Sequence, residues 1–145
     1  MVKIGVAGAY GAFGIKHLDA LANIGDAEVT AIFGPNKDKI EALAKERGIA
    51  HACSTYDDFL KSDVDAVILS TPTQMHCDQS VQAMEAGKHT FSEIPMADSL
   101  ADAETMAAAQ ECTGVVGMVG HVRRFNPSHQ YIKNKIDAGE FNIQQ

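Results

Sequence analysis

Short apolar runs alternate with longer stretches of helical periodicity along almost the whole chain. Runs of four to six β-branched or apolar residues are typical of buried strands, whereas apolar residues that recur about every 3.6 positions are typical of helices. The runs that predict strands are residues 2–7, 28–33, 49–52, 66–71, 89–93 and 115–120. The stretches that predict helices are residues 12–24, 36–47, 56–61, 75–86 and 99–111. This alternation predicts a doubly wound α/β domain, in which helices cover both faces of a parallel sheet.

Composition and charge exclude several other classes of protein. The 46% apolar content of a 145-residue chain supports one hydrophobic core. The net charge of -7 and the scattered lysines and arginines argue against binding to nucleic acid or to a membrane surface. Because no apolar run approaches the roughly 20 residues of a membrane span, we expect a cytoplasmic protein. The three cysteines lack CxxC spacing, so no metal site is expected.

A glycine-rich segment, residues 8–14 (GAYGAFG), directly follows the first predicted strand and opens the first helix. A turn of this kind lets the backbone approach a pyrophosphate, whose charge is stabilised by the N-terminus of the helix. The spacing G-x-x-G-x-x-G is one residue longer than the usual dinucleotide-binding pattern. The segment therefore predicts a cofactor site, with an ordinary structural turn as the alternative. The candidate cofactor-binding residues here are Gly8, Tyr10, Gly11, Ala12, Phe13 and Gly14.

The second predicted strand ends in residues 33–37 (FGPNK), where an acidic residue would bind both ribose hydroxyls of NAD. Since no acid stands there, the segment leaves room for the 2′-phosphate of NADP. Gly34, Asn36 and Lys37 are the candidate cofactor-binding residues, although Asp38 would oppose a phosphate. The alternatives are a plain helix N-terminus at this position and NAD as the cofactor.

Two further segments follow the fourth and fifth strands, at the sheet edge where open α/β folds bind ligands. Thr71 and Pro72 are candidate cofactor-binding residues, and Thr73 is a candidate cap of the next helix. His76 is a candidate for cofactor or substrate contact, or a helix-start residue with a local hydrogen bond. Glu93 either orients the nicotinamide ribose or carboxamide or is a solvated carboxylate at the strand end.

Adjacent arginines follow the sixth strand at the same edge. Arg123 and Arg124 could bind a carboxylate through their planar guanidinium groups, or they could be ordinary surface charges. Only one of two adjacent arginines can easily face the cleft. His129 completes the candidate substrate-binding set. In the first of these two interpretations, the ligand is a carboxylated small molecule.

Beyond residue 120 the pattern changes. Asn126 and Pro127 can cap and open another helix, and residues 140–145 resemble the beginning of a new strand. An unfinished exposed strand normally pairs with something else. We therefore expect residues 1–121 to form a dinucleotide-binding Rossmann domain and residues 122–145 a linking helix and the first elements of a truncated second α/β domain. The rest would belong to a longer protein or to a partner.

Taken together, the blocks TPTQMH (71–76), EIP (93–95) and GHVRRFNPSHQ (120–130) resemble the Gfo/Idh/MocA oxidoreductase family. The resemblance covers the whole chain and implies a Rossmann domain followed by an open-sheet α/β domain. It also implies a dehydrogenase that acts on CH–OH groups, with a homo-oligomeric full-length form. Most of the family has E-K-P where this chain has Ile94. That departure argues against a typical sugar dehydrogenase. The E-I-P motif instead resembles the branch of the family that oxidises a carboxylated semialdehyde.

The resemblance therefore implies the N-terminal portion of an NADP-dependent enzyme of bacterial protocatechuate 4,5-cleavage. Such an enzyme oxidises the cyclic hemiacetal of its semialdehyde to a pyrone dicarboxylate. The general base of the family is usually a histidine of the second domain. We therefore expect the catalytic base to lie outside residues 1–145 and assign no catalytic residue within them. The alternatives are a sugar or inositol dehydrogenase of the same family and a dinucleotide-binding module without catalysis.

Overall fold

The computed structural model describes residues 1–141 and residue 144. Its strands are β1 (Val2–Ala7), β2 (Ala27–Phe33), β3 (His51–Cys53), β4 (Ala66–Leu69), β5 (His89–Ser92) and β6 (Gly117–Val119). Its α-helices are α1 (Ala12–Leu21), α2 (Lys37–Arg47), α3 (Tyr56–Leu60), α4 (His76–Glu85), α5 (Leu100–Thr113) and α6 (Pro127–Asp137). Short 3₁₀ turns at Thr73–Met75 and Val122–Phe125 precede α4 and α6.

All six strands form one parallel sheet in the order β3-β2-β1-β4-β5-β6. This order is that of a Rossmann fold, in which β2 and β3 are added on one side of β1 and β4, β5 and β6 on the other, so that the strand order reverses between β1 and β4. The reversal opens a crevice at the carboxyl ends of these two central strands. The predicted doubly wound α/β fold is therefore confirmed.

Helices cover both faces of the sheet because alternate strand residues point to opposite sides. Val6 packs in a core cluster with Leu18 and Leu21 of α1 and with the apolar face of α2. Its neighbour Ala7 belongs to the opposite cluster, which contains the fully buried ring of Phe59 from α3. The two cores hold the strands rigidly, so the loops at their carboxyl ends have a fixed frame.

Several predicted boundaries differ from the structure by a few residues. Helix α1 ends at Leu21 rather than at residue 24, because the N–H groups of Asn23 and Ile24 donate three residues back and close a tighter turn. Strand β4 ends at Leu69 rather than at residue 71. The two residues beyond it leave the sheet and form the rim of the crevice.

The prediction that Thr73 caps α4 is wrong. Thr73 lies inside the 3₁₀ turn that begins after Pro72, and α4 begins only at His76, whose N-cap residue Met75 makes no side-chain capping hydrogen bond. An N-cap requires an extended backbone, whereas a residue within a 3₁₀ turn already has helical dihedral angles. The turn therefore removes Thr73 from the capping position.

The C-terminal segment is a helix with little packing against the domain. No residue of α6 is buried, and Tyr131 and Ile132 are exposed. The strand predicted over residues 140–145 begins with Glu140 and Phe141, which are not in a strand. Asn142, Ile143 and Gln145 of that prediction lie outside the described residues. Across the described part of the chain, no helix combines the length and apolar character needed to cross a membrane.

Candidate functional site

Two adjoining clefts lie at the carboxyl edge of the sheet. The large cleft, about 690 Å³, is lined by Phe13 and Lys16 of α1, by Glu93 and by Arg123, among others. The small cleft, about 430 Å³, lies between the glycine-rich turn and the end of β2. Ser70, Thr71 and Pro72 line both clefts. The two spaces therefore meet at the point where the strand order reverses, which is where open α/β sheets bind ligands.

The glycines of the turn have different structural roles. Gly8 has a positive φ of 74°, and a Cβ atom there would lie 2.6 Å from the carbonyl oxygen of Ser70. A Cβ atom on Gly14 would lie 2.3 Å from the carbonyl oxygen of Gly8, so only glycine allows α1 to pack this closely on the turn. A Cβ atom on Gly11 would meet only the Gly8 oxygen, at 3.1 Å. Gly8 and Gly14 are thus required by the close packing of the turn, and Gly8 and Gly11 both line the small cleft.

The N–H groups available to an anion come from the start of α1 rather than from the glycines before it. The N–H of Gly8 donates to Phe33 and that of Gly11 donates to Gly8, each at 2.9 Å. Ala12 and Phe13 occupy the first turn of α1, where N–H groups have no intrahelical acceptor. No acidic residue lies in this turn, so its positive dipole end is not neutralised from within. These features fit a pyrophosphate.

The end of β2 is covered by Tyr10, the extra residue of the glycine turn. Its hydroxyl accepts a hydrogen bond from the Asn36 N–H at 3.2 Å. Its ring lies against Gly34, where an added Cβ atom would be 2.3 Å from ring atom Cε1. A side chain at Gly34 would therefore displace Tyr10. At this strand end, which has no acidic residue, the structure places the ring of Tyr10.

Asn36, Lys37 and Lys39, at the start of α2, have different partners. The Asn36 side-chain oxygen accepts from the Lys39 N–H at 3.0 Å, so this residue caps α2. Lys37 lies 3.8 Å from Glu41, one turn along the same helix. The Lys39 ammonium lies over the Tyr10 ring, 5.8 Å from its centroid. Sequence reasoning missed Lys39, although a residue three positions after the cap lies on the same helical turn.

His76 joins the loops that follow β4 and β5. Its two ring nitrogens lie 2.8 Å from the carbonyl oxygens of Thr71 and Pro95, and its side chain is buried. Gln79 of the same helix accepts a hydrogen bond from the Thr71 hydroxyl at 2.6 Å. Because each ring nitrogen faces a backbone carbonyl oxygen, His76 has the geometry of the helix-start residue considered in the sequence analysis. It shapes the wall of the large cleft, and a substrate contact would require it to release a loop.

Glu93 is buried beside the large cleft and has a partner that the sequence did not indicate. Its Oε1 atom lies 2.8 Å from Nε2 of His17, and its Oε2 atom accepts from the Ile94 N–H at 3.2 Å. His17 is in α1, three positions beyond Gly14, on the side of the helix next to the sheet. The solvated strand-end carboxylate is therefore not what the structure shows.

The cationic residues after β6 line two different pockets. Arg123 lines the large cleft together with Asn126. Arg124 and His129 line a different surface pocket of about 490 Å³ with Lys133. His129 lies 3.0 Å from the carbonyl oxygen of Arg123 through its Nδ1 atom. The structure thus brings one arginine to the cleft and places the other two candidates elsewhere. Within residues 1–141 and 144, no cluster of three potential ligands could hold a metal ion.

Comparison with known proteins agrees with this architecture. Residues 2–121 match the GFO_IDH_MocA family model, described as an oxidoreductase family with an NAD-binding Rossmann fold. The chain is 52% identical to 4-carboxy-2-hydroxymuconate-6-semialdehyde dehydrogenase of Sphingobium sp. over 99% of its own length and 46% of that protein. It therefore spans about half the length of the curated relatives that it matches.

Solved structures of similar fold contain either nicotinamide dinucleotide. Scyllo-inositol dehydrogenase of Lactobacillus casei with NAD(H) and scyllo-inositol superposes with a TM-score of 0.91 at 29% identity, covering 97% of this chain and 42% of that one. A 3-ketoreductase of Actinomadura kijaniata in complex with TDP-benzene and NADP has a TM-score of 0.87 at 27% identity, covering 95% and 44%. The chain belongs to the Gfo/Idh/MocA oxidoreductase family and contains its NAD-binding Rossmann domain.

Proposed function

We propose that this chain is the cofactor-binding portion of an NADP-dependent dehydrogenase for 4-carboxy-2-hydroxymuconate-6-semialdehyde. The proposed reaction oxidises the cyclic hemiacetal of that compound to 2-pyrone-4,6-dicarboxylate. The observation that carries the proposal is the 52% identity over 99% of the chain with the Sphingobium dehydrogenase of that name. Two local features support it, namely Ile94 in place of the family's usual lysine and Arg123 in the large cleft.

The two clefts match the two halves of a dinucleotide. In our proposal the adenosine half occupies the small cleft beside Tyr10, and the pyrophosphate lies before the N–H groups of Ala12 and Phe13. The nicotinamide half then enters the large cleft, next to Glu93. Thr71 and Pro72, which line both clefts, would contact the cofactor near its middle. When bound, the nicotinamide ring supplies the hydride acceptor.

A direct test of this assignment is cofactor binding by the 145-residue chain itself. When NADPH is titrated with the chain, we expect the nicotinamide fluorescence of NADPH to increase and shift, because the reduced ring would enter a partly enclosed cleft. ADP should compete for the adenosine half of the site. A chain that binds neither nucleotide would contradict the proposed function.

The cofactor preference is proposed to depend on Lys39 rather than on the Lys37 of the sequence-based expectation. Lys37 is paired with Glu41, whereas the Lys39 ammonium is held over Tyr10 at the end of β2. No acidic side chain directly follows β2, since Gly34, Pro35 and Asn36 occupy these positions, and the first acid after them is Asp38 in the first turn of α2. A phosphate beside Tyr10 would therefore meet a cation.

Replacing Lys39 with Ala should weaken NADPH binding about fivefold and leave NADH binding unchanged. One exposed charge pair contributes up to about 1 kcal/mol, which corresponds to this factor. Lys37→Ala is the matched control, and we expect it to change either affinity less than twofold. Calorimetric titration of both variants with both nucleotides measures the difference. A larger loss with Lys37→Ala would refute the assignment to Lys39.

The substrate is proposed to approach the nicotinamide end of the large cleft. Arg123 supplies a cation there, and a guanidinium can bind a carboxylate through two parallel hydrogen bonds. Residues 1–121 would thus form the cofactor domain, and residues 122–145 would lead into a second domain. That domain would contribute the general base that takes the hydroxyl proton, since a base must lie within hydrogen-bonding reach of the proton.

An inositol or sugar dehydrogenase is the second candidate, because the superposed Lactobacillus casei enzyme contains scyllo-inositol. Ile94 speaks against it, since an aliphatic side chain can neither donate nor accept a proton. Steady-state assays of the longer protein with the hemiacetal and with scyllo-inositol, each with NADP and NAD, discriminate the two. We expect the hemiacetal to have the higher kcat/KM by a wide margin.

A further inference from the structure

A buried histidine–carboxylate pair lies behind the large cleft. Nε2 of His17 and Oε1 of Glu93 are 2.8 Å apart, and both side chains are largely buried, with exposed fractions of 16% and 9%. The pair connects helix α1 to the end of β5, two elements that are far apart in sequence. Glu93 lines the cleft, whereas His17 stands behind it.

The surroundings restrict the Glu93 carboxylate on several sides. Its second oxygen accepts from the Ile94 N–H at 3.2 Å. Gly120 lies close behind, because a Cβ atom there would be 2.7 Å from the Phe91 ring and 3.4 Å from the Glu93 carboxyl carbon. The His17 ring itself packs edge-to-face on Phe91, with ring centroids 5.5 Å apart. The ring that donates to Glu93 is therefore also fixed in orientation.

A carboxylate has about four lone-pair positions, and the two protein donors use only two of them. Glu93 lines the large cleft, so a molecule bound there could donate to the remaining positions. Burial of a carboxylate is costly unless hydrogen bonds compensate for the lost water, and His17 provides the side-chain partner of Glu93 beside the backbone N–H of Ile94. Without His17, the Glu93 carboxylate would lose this hydrogen bond, and we expect it to rotate toward solvent in the cleft.

We propose that His17 is a positioning residue that holds the Glu93 carboxylate ready to accept hydrogen bonds from the nicotinamide riboside of the cofactor. The inference rests on the proposed function, because it requires the nicotinamide half to occupy the large cleft. His17 does not touch the cofactor and acts only through Glu93. If the pair only attached α1 to the sheet, its loss would weaken binding of both halves of the dinucleotide equally.

Replacing His17 with Phe keeps the aromatic contact with Phe91 and removes the hydrogen-bond donor. We expect NADPH affinity to fall about fivefold, while affinity for ADP, which lacks the nicotinamide riboside, stays within twofold of wild type. His17→Gln should recover part of the NADPH affinity, because its amide can donate to the carboxylate. Calorimetry with both nucleotides, together with the Tm of each variant, provides the measurements.

A double-mutant cycle with Glu93→Gln shows whether His17 acts through Glu93. We expect His17→Phe to have no further effect on NADPH affinity in the Glu93→Gln background. Equal losses for NADPH and ADP, wild-type affinity for both, or additive effects of the two substitutions would overturn the inference. If the wild-type chain binds neither nucleotide, the proposed function fails and this inference fails with it.

Discussion

Gly14→Ala is expected to destabilise the chain by roughly 3 kcal/mol or more, which is the upper range for overpacking a rigid site. The new methyl group would lie 2.3 Å from the Gly8 carbonyl oxygen and 2.7 Å from the Ala9 Cα atom. Both contacts are with backbone, so no side-chain rotation relieves them, and α1 must move away from the turn. Denaturant unfolding measures the loss of free energy.

Gly11→Val is the matched comparison because Gly11 has an extended backbone and an open side toward the small cleft. Its Cβ atom would meet only the Gly8 oxygen, at 3.1 Å. We expect a stability change of about 1 kcal/mol at most. NADPH binding should nevertheless fall at least tenfold, since the side chain would occupy space in the proposed cofactor site. If Gly14→Ala is as stable as wild type, or Gly11→Val binds normally, the division of roles among the glycines is wrong.

In the longer protein that contains this domain, Arg123→Ala is expected to raise KM for the carboxylated substrate about tenfold or more. A charge-assisted hydrogen bond contributes about 1.5–3 kcal/mol, and each 1.4 kcal/mol corresponds to a factor of roughly ten. KM for NADP should stay near wild type, because Arg123 follows β6, whereas the glycine turn follows β1, three strands away in the sheet. Arg123→Lys should restore only part of the loss, since the planar guanidinium is absent.

Arg124→Ala is the control for this prediction. Arg124 lines a separate pocket with His129, so its removal should change KM for either ligand less than twofold. Steady-state kinetics of the three variants, with substrate and cofactor varied in turn, separate the effects. Equal effects of the two alanine substitutions, or none from Arg123→Ala, would mean that neither arginine recognises the substrate through the cleft.

Strands and helices were predictable because each leaves a repeated pattern of apolar residues in the chain. All six strands and the helices between them exist, and β1 was predicted with its observed ends. Among these elements the errors lie at the ends, such as those of β4 and α1, where tight turns compete with the regular pattern. The Thr73 cap failed for the same reason, since a local pattern does not distinguish a 3₁₀ turn from a helix start. The strand predicted from residue 140 onward is not found at Glu140 and Phe141.

Local sequence by itself determined the fold class, the glycine turn and the position of the ligand edge, because each depends on residues that are neighbours in the chain. Tertiary structure decided which side chains serve that edge. His17 meets Glu93 across 76 positions, and Tyr10 covers Gly34 from another strand end. Of the two adjacent arginines, the structure selects Arg123 as the one that lines the cleft. Such pairings depend on how the helices pack on the sheet. The orientation in which each helix packs on the sheet depends on contacts throughout the assembled core, so no local pattern of residues encodes it.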